Sequence, residues 1–296
     1  MSKLKQILEK IKPSNDLLEK DFRKYLIDTN ESFEDCLRGI IKGDIEKYVN
    51  QIYEMAFYYS FVFGAKIQLS QFFDEDDVAT LHCLFAEIYQ SILGIYGCLK
   101  LGSVLGAYPL LRSILHRVTI LEIIFENHKN GDQIKDRLKK YRNLGGVLAY
   151  QYFDKVGNKE KEKKKEFEDH FTAYADGFRT DRNTYDYTQA IYGKKKTISQ
   201  LLKKFGLDNE HNALYGDLSV VDHGHIAFSS LLNKKLCILP FEEVKEYRKI
   251  CGCVAYFLAH SIYGVVSYIN NPDNDPILTF IQNMAYDLAS SEEVRS

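Results

Sequence analysis

Four polar side chains recur at four-residue intervals in the segment NEHNALYGDLSVVDHGH: His211, Tyr215, Ser219 and His223. This spacing would place them in one row along a helix, and Gly224 is a typical residue just beyond a helix end. His223 would then lie in the last turn and His225 just after it, where the helix dipole favours a protonated imidazole. The row predicts either a proton-transfer or ligand site, or a hydrogen-bond network that joins neighbouring helices.

A second polar pair, Arg112 and His116, lies one turn apart in the apolar segment LLRSILHRVTILEIIF. Because an arginine in such a helix needs an anion or hydrogen-bond acceptors, two interpretations are open. Arg112 either pairs with an internal carboxylate or faces a cleft and holds a phosphate or carboxylate.

The two segments together suggest one pocket. We assign catalysis to His223, Arg112 and Ser219, and substrate binding to six further residues: His116, Tyr215, His225, Lys194, Lys195 and Lys196. P-loop, GxGxxG, HExxH and GxSxG patterns are all missing from the sequence, and we expect neither a metal nor a cofactor.

Charge is distributed unevenly along a nearly neutral chain. The 296 residues carry a formal charge of −2, but residues 129–204 contain 19 Lys or Arg against 11 Asp or Glu. Such a basic segment is typical either of a solvent-exposed surface or of a contact with RNA or a nucleotide. The six cysteines form no CxxC pair, which favours reduced thiols and a cytoplasmic protein.

The elements that would position these residues are helices. Apolar residues recur at intervals of three and four, and the chain has only five prolines. We predict an all-α fold, a bundle of long antiparallel helices with an inserted basic helical arm. Residues 1–43 would form N-terminal helices, 44–270 the bundle core with the arm at 129–204, and 271–296 a C-terminal helix and tail.

Three long helices should build most of the core. They start near Asp44, after the acidic residues 74–77, and near Gly106; Thr197 and Gln200 are spaced as a capping box for a shorter helix. Residues 250–269 carry no formal charge and are long enough to span a bilayer. Their many polar side chains favour a buried core helix over a membrane segment.

Two short motifs resemble a bacterial family known as domain of unknown function 5677. Leu111, Arg112 and Ser113 match its L-R-S helix motif, with His116 where an acid is usual. Its Y-x-x-L-S-x-x-x-H motif is matched by Tyr215, Leu218, Ser219 and His223. The resemblance covers about residues 85–270 and implies a helical bundle with a pocket lined by Arg112, Ser219 and His223.

The arrangement is also similar to the HEPN superfamily of helical bundles, many of which are metal-free ribonucleases of anti-phage defence or toxin systems. Those enzymes carry R-x4-6-H, whereas three residues separate Arg112 from His116. The resemblance implies a defence- or toxin-type effector, a homo-oligomer that acts on RNA or a nucleotide. A non-catalytic interaction subunit is the alternative, and a membrane-associated effector the second alternative.

Overall fold

The computed structural model describes residues 39–66, 68–126, 129–156, 187–192, 196–205 and 244–269, together with Asp35 and Asn283. All regular structure in these residues is helical, which confirms the predicted all-α bundle. The helices are α1 (Asp44–Phe61), α2 (Glu75–Lys100), α3 (Val104–Phe125), α4 (Gly131–Val156), α5 (Tyr187–Tyr192), α6 (Ile198–Lys204) and α7 (Val244–Ile269). A π-helical turn (Val62–Lys66) and a 3-10 turn (Leu69–Gln71) lie between α1 and α2.

Side chains cap the starts of α2 and α6, and the cap of α6 is the one that the sequence predicted. The Asp74 carboxylate accepts a hydrogen bond from the backbone N–H of Asp77 at 2.8 Å and so caps the start of α2. At α6, the Thr197 hydroxyl accepts from the N–H of Gln200, and the Gln200 side chain accepts from the N–H of Thr197. These reciprocal bonds form the predicted capping box.

The core lies among α1, α2, α3 and α7, which form a closed ring of neighbouring helices. The apolar face predicted for α1 is buried along the whole helix, at Ile45, Val49, Ile52, Ala56 and Tyr59. Helix α3 is buried on most sides because α2, α4 and α7 all pack against it. It is therefore the central helix of the bundle, as its nearly continuous apolar sequence predicted.

Side-chain contacts give the direction of each helix. Helix α2 runs antiparallel to α1, since Tyr53 contacts Tyr96 whereas Phe63, just after α1, stacks on Phe85. It also runs antiparallel to α3, since Gly94 lies against Leu110 whereas Glu87 pairs with Arg117. Helix α7 instead runs parallel to α3. Tyr108 contacts Glu246 and Glu122 contacts His260, and in both pairs the second residue comes 138 positions after the first. Residues 157–243, between α4 and α7, are numerous enough for the chain to reach the end of the bundle at which α3 also begins.

Helix α4 packs against α2 and α3 outside this ring. Its Arg142 donates to the Asp77 carboxylate at the start of α2, over 2.9 Å. Its buried Arg137 donates to the carbonyl of Ile123 at 2.7 Å and pairs with Glu126 at 3.2 Å. Arg137 thus satisfies carbonyl oxygens that the end of α3 leaves without intrahelical donors.

Among the described residues, α2 and α7 are long and apolar enough to cross a membrane by length and composition. The most apolar window of α7 is 67% buried within the bundle, and that of α2 is 39% buried. For α7, the burial matches that of a soluble protein's core helix.

Candidate functional site in the groove between α3 and α7

A buried hydrogen bond joins the second turn of α3 to the first turn of α7. The Tyr108 hydroxyl donates to Oε2 of Glu246 over 2.6 Å, and both side chains are buried. The Lys249 ammonium lies 5.9 Å from the centre of the Tyr108 ring. A buried carboxylate needs such partners to offset the cost of its desolvation.

The last turn of α3 and the second half of α7 are joined by a carboxylate and a histidine. Nδ1 of His260 lies 2.7 Å from Oε1 of Glu122, and the two side chains remain 17% and 16% exposed. The ring of Tyr256 packs 4.6 Å from that of His260. When Nδ1 carries the proton and donates to Glu122, Nε2 is the free acceptor of the neutral imidazole.

On both helices, a line of half-buried polar side chains continues between these two contacts. On α7 they recur at helical spacing, and on α3 Arg112 lies one turn beyond Tyr108 and His116 one turn further. We call this line the α3–α7 groove, which comprises Arg112, His116, Glu122, Lys249, Cys253, Tyr256 and His260.

The hydroxyl groups nearest the groove are committed to their own helices. Thr119 Oγ1 donates to the Leu115 carbonyl at 2.7 Å, and Ser261 Oγ donates to the Leu258 carbonyl at 2.9 Å. Both side chains are buried. Among the described residues, the His260–Glu122 pair is therefore the candidate proton-transfer group of the groove.

Three of the residues assigned from the sequence fall within the described part of the chain. Arg112 and His116 are half-buried on α3, and Lys196 places its ammonium 4.4 Å from the centre of the Tyr192 ring. The other six lie outside the described residues, namely Tyr215, Ser219, His223, His225, Lys194 and Lys195. The predicted approach of Arg112 to His223 is thus still a prediction.

Several cations of the basic segment 129–204 bind carboxylates of the protein itself. Lys140 pairs with Asp136 at 2.7 Å on the same helix. Glu126, at the end of α3, is contacted by Arg137, by Lys204, and by the Tyr192 hydroxyl at 2.9 Å. Together with the Arg142–Asp77 pair, these contacts neutralise part of the charge that suggested an RNA-binding surface.

Sequence reasoning missed the His260–Glu122 pair. The signal was present, because Glu122 is the only acidic residue in α3 and His260 the only histidine in α7. An ionisable side chain that is largely buried in an apolar helix needs a polar partner. Within the described residues, no group of three His, Cys, Asp or Glu side chains could hold a metal ion.

A family model described as a family of unknown function, DUF5677, matches residues 78–235, just over half of the chain. The matched range starts in α2 and includes Arg112, His116, Glu122, Ser219 and His223, and it ends before α7 and His260. No curated protein and no solved structure matches the chain.

Proposed function

The chain belongs to the DUF5677 family, and from that premise we propose that it is a cytoplasmic helical effector that acts on RNA or a nucleotide. Its role would be that of a HEPN-like defence or toxin protein, and its chemistry that of a metal-independent ribonuclease. The family description supplies no activity, so the proposal depends on the α3–α7 groove.

The observation that carries the proposal is the 2.7 Å contact between His260 and Glu122 at a partly exposed position. A carboxylate that holds one imidazole nitrogen orients the ring and stabilises the imidazolium that forms when the other nitrogen takes a proton. This arrangement suits general acid–base chemistry without a metal ion.

The proposed reaction is an internal transesterification of RNA. His260 Nε2 takes the proton of a ribose 2′-hydroxyl, and the 2′-oxygen bonds to the adjacent phosphorus. The bond from phosphorus to the 5′-oxygen breaks, and that oxygen takes a proton from the imidazolium of His260. The products are a 2′,3′-cyclic phosphate and a free 5′-hydroxyl, so atoms and charge balance.

Arg112 would hold a different phosphate from the one that reacts. It lies ten residues before Glu122 on α3, a rise of about 15 Å along the helix axis. His116, six residues before Glu122, is about 9 Å away by the same measure. We therefore assign Arg112 and His116 to the binding of a flanking nucleotide, with the planar guanidinium on its phosphate.

The experiment is incubation of the purified full-length protein with total RNA in EDTA. We expect the wild type to cleave RNA and His260→Asn to lose activity by about 10²- to 10⁴-fold, the usual contribution of a general base. Glu122→Gln should lose activity as well, because the neutral glutamine no longer stabilises the imidazolium. The glutamine side chain can still accept the hydrogen bond from His260, so the ring keeps its orientation.

The matched control is His82→Asn, a histidine exposed on α2. It should cleave RNA like the wild type. The proposal is overturned if the wild type leaves RNA intact, or if His260→Asn cleaves it as fast as His82→Asn does.

One observation favours a second candidate, a non-catalytic interaction subunit. Tyr108 and Glu246 join α3 to α7 without a histidine, and the His260–Glu122 pair could have the same purely structural role. In that case His260→Asn lowers the free energy of unfolding by about 1–3 kcal/mol, because Glu122 loses its partner. The RNA profiles of wild type and variant are then identical.

A further inference from the structure

The end of α3 brings several cations to one carboxylate. Arg137 of α4 and Lys204 of α6 both pair with Glu126. The ammonium groups of Lys196 and Lys204 lie 4.4 Å and 4.5 Å from the centre of the Tyr192 ring. We call this group the Glu126 cluster, which comprises Glu126, Arg137, Tyr192, Lys196 and Lys204. Three cations share one carboxylate among these five residues, and the excess of positive charge attracts an anion.

The Glu126 cluster adjoins the His260–Glu122 pair. Glu126 keeps a helical backbone conformation at the end of α3, and it follows Glu122 by four residues. The two glutamates therefore lie on the same side of the helix, with their Cβ atoms about 6 Å apart. His260 contacts the first carboxylate and Lys204 contacts the second. Because Arg112 lies about 15 Å from Glu122 in the opposite direction along α3, cations are present on both sides of the pair.

An exposed aromatic ring lies at the same level of the bundle. Tyr263 of α7 is 44% exposed and comes three residues after His260. Its neighbour Gly264 lies against the end of α3, since a Cβ at Gly264 would be 3.2 Å from the Cβ of Phe125. Cations beside an accessible aromatic ring suit a single nucleic-acid strand, which offers both phosphates and bases.

We propose that the Glu126 cluster is a phosphate-binding subsite for the RNA strand, on the side of the His260–Glu122 pair opposite to Arg112. Without RNA, Glu126 is the internal anion of the subsite. When RNA binds, Lys204 exchanges the Glu126 carboxylate for a phosphate of the strand, which Lys196 also contacts. The position of this subsite next to a reacting linkage rests on the proposed function.

The subsite defines the class of substrate. Arg112 and Glu126 are separated by 14 positions on α3, a rise of about 21 Å. A free nucleotide cannot reach both ends of this distance. A polynucleotide can, because it carries a phosphate at each linkage. The substrate is therefore an RNA strand that continues on both sides of the reacting linkage.

The test is the affinity of the full-length protein for a 2′-O-methyl RNA of about 12 nucleotides, measured by fluorescence anisotropy at several salt concentrations. This probe lacks the 2′-hydroxyl that the proposed reaction needs, so binding is measured apart from cleavage. We expect Lys196→Gln, Lys204→Gln to bind about 10-fold more weakly than the wild type. The slope of log affinity against log salt should become shallower by about 1.4, since each lysine–phosphate contact contributes about 0.7.

Glu126→Gln distinguishes a phosphate subsite from a purely structural cluster. The substitution removes the anion that competes with RNA, so the affinity for the oligonucleotide at low salt should rise several-fold. A cluster that only joins helices would give no such gain. The variant Lys196→Arg, Lys204→Arg keeps both charges and should bind like the wild type.

The matched control is Lys42→Gln, Lys47→Gln, which removes two exposed cations at the start of α1 and should bind like the wild type. If circular dichroism shows that the double variant of the cluster is unfolded, Lys196→Gln alone takes its place, because the printed contact of Lys196 is with a ring.

A wild type that does not bind the oligonucleotide overturns the proposal, as does a folded cluster variant that binds as tightly as the control. A wild type that binds the oligonucleotide but leaves RNA intact overturns the proposed activity instead, and the phosphate-binding subsite then stands without it.

Discussion

At the scale of single residues, the arginine that is buried within the described part of the chain is Arg137, not Arg112. The sequence drew attention to Arg112 because it stands in an apolar helix, and the structure leaves it half-buried. Arg137 is 7% exposed and binds the end of α3. Its partners could not be predicted, since backbone carbonyls at a helix end and a glutamate from another element leave no local pattern in the sequence.

Glu126 is the residue through which α3, α4, α5 and α6 are joined. Burial alone would raise the pKa of its carboxyl group. Its contacts with Lys204, Tyr192 and Arg137 outweigh burial and hold the pKa below the ordinary value of 4.5. A pKa that is lower in the folded state means that ionised Glu126 stabilises the fold.

We therefore expect Glu126→Gln to lower the free energy of unfolding by about 1–3 kcal/mol at pH 7. The stabilisation by Glu126 is fully present above pH 4.5 and is lost as the pH falls through the lowered pKa. The difference between wild type and variant should shrink over that range, as measured by urea unfolding at several pH values. A constant difference down to the lowest pH at which the protein folds would contradict this role, and the exposed Glu54→Gln is the control.

At the scale of helices, the sequence predicts which segments are helical and which face of each helix is buried. It predicts less well the direction in which each helix runs through the bundle. The buried face of α1 and the capping residues of α2 and α6 follow from local spacing, which the chain itself contains. The parallel arrangement of α3 and α7 depends on pairs of residues 138 positions apart. No local period encodes such a pairing, so the sequence marks Glu122 and His260 as residues that need partners but does not show that they are each other's partner.

The glycines of α2 test how closely α2 and α3 approach. A Cβ at Gly97 would meet no atom within 4 Å, whereas a Cβ at Gly94 would lie 2.8 Å from Cδ1 of Leu110. Gly97→Ala should raise the free energy of unfolding by about 0.5–1 kcal/mol, because alanine restricts the unfolded chain. Gly94→Ala should gain less or be destabilising, since Leu110 must move. Equal gains in urea unfolding would show that the two helices lie further apart.

At the scale of the whole molecule, net charge by segment overstates the positive charge that is available to a partner. The excess of positive charge at 129–204 suggested an RNA surface, but Arg137, Lys140, Arg142 and Lys204 all contact carboxylates within the protein. A count of charges along the sequence cannot tell a cation that binds a partner from one that holds two helices together. The groove, with far fewer charges, is the better candidate site.

The burial of α7 predicts how the whole protein fractionates. Because 67% of its most apolar window is covered by the bundle, little apolar surface of α7 is left for lipid. We expect the full-length protein in the supernatant after ultracentrifugation without detergent. Sedimentation with membranes, with release by detergent but not by alkaline carbonate, would support the membrane-associated alternative.

The parallel pairing of α3 with α7 also bears on the order of events during protein synthesis. Helices α1, α2 and α3 leave the ribosome in sequence and can associate through short connections, but the fourth side of the ring stays open until residues 244–269 emerge. Nascent chains thus carry an uncovered apolar strip on α1 and α3 while residues 126–243 are synthesised, and exposed apolar surface of this kind is what chaperones bind.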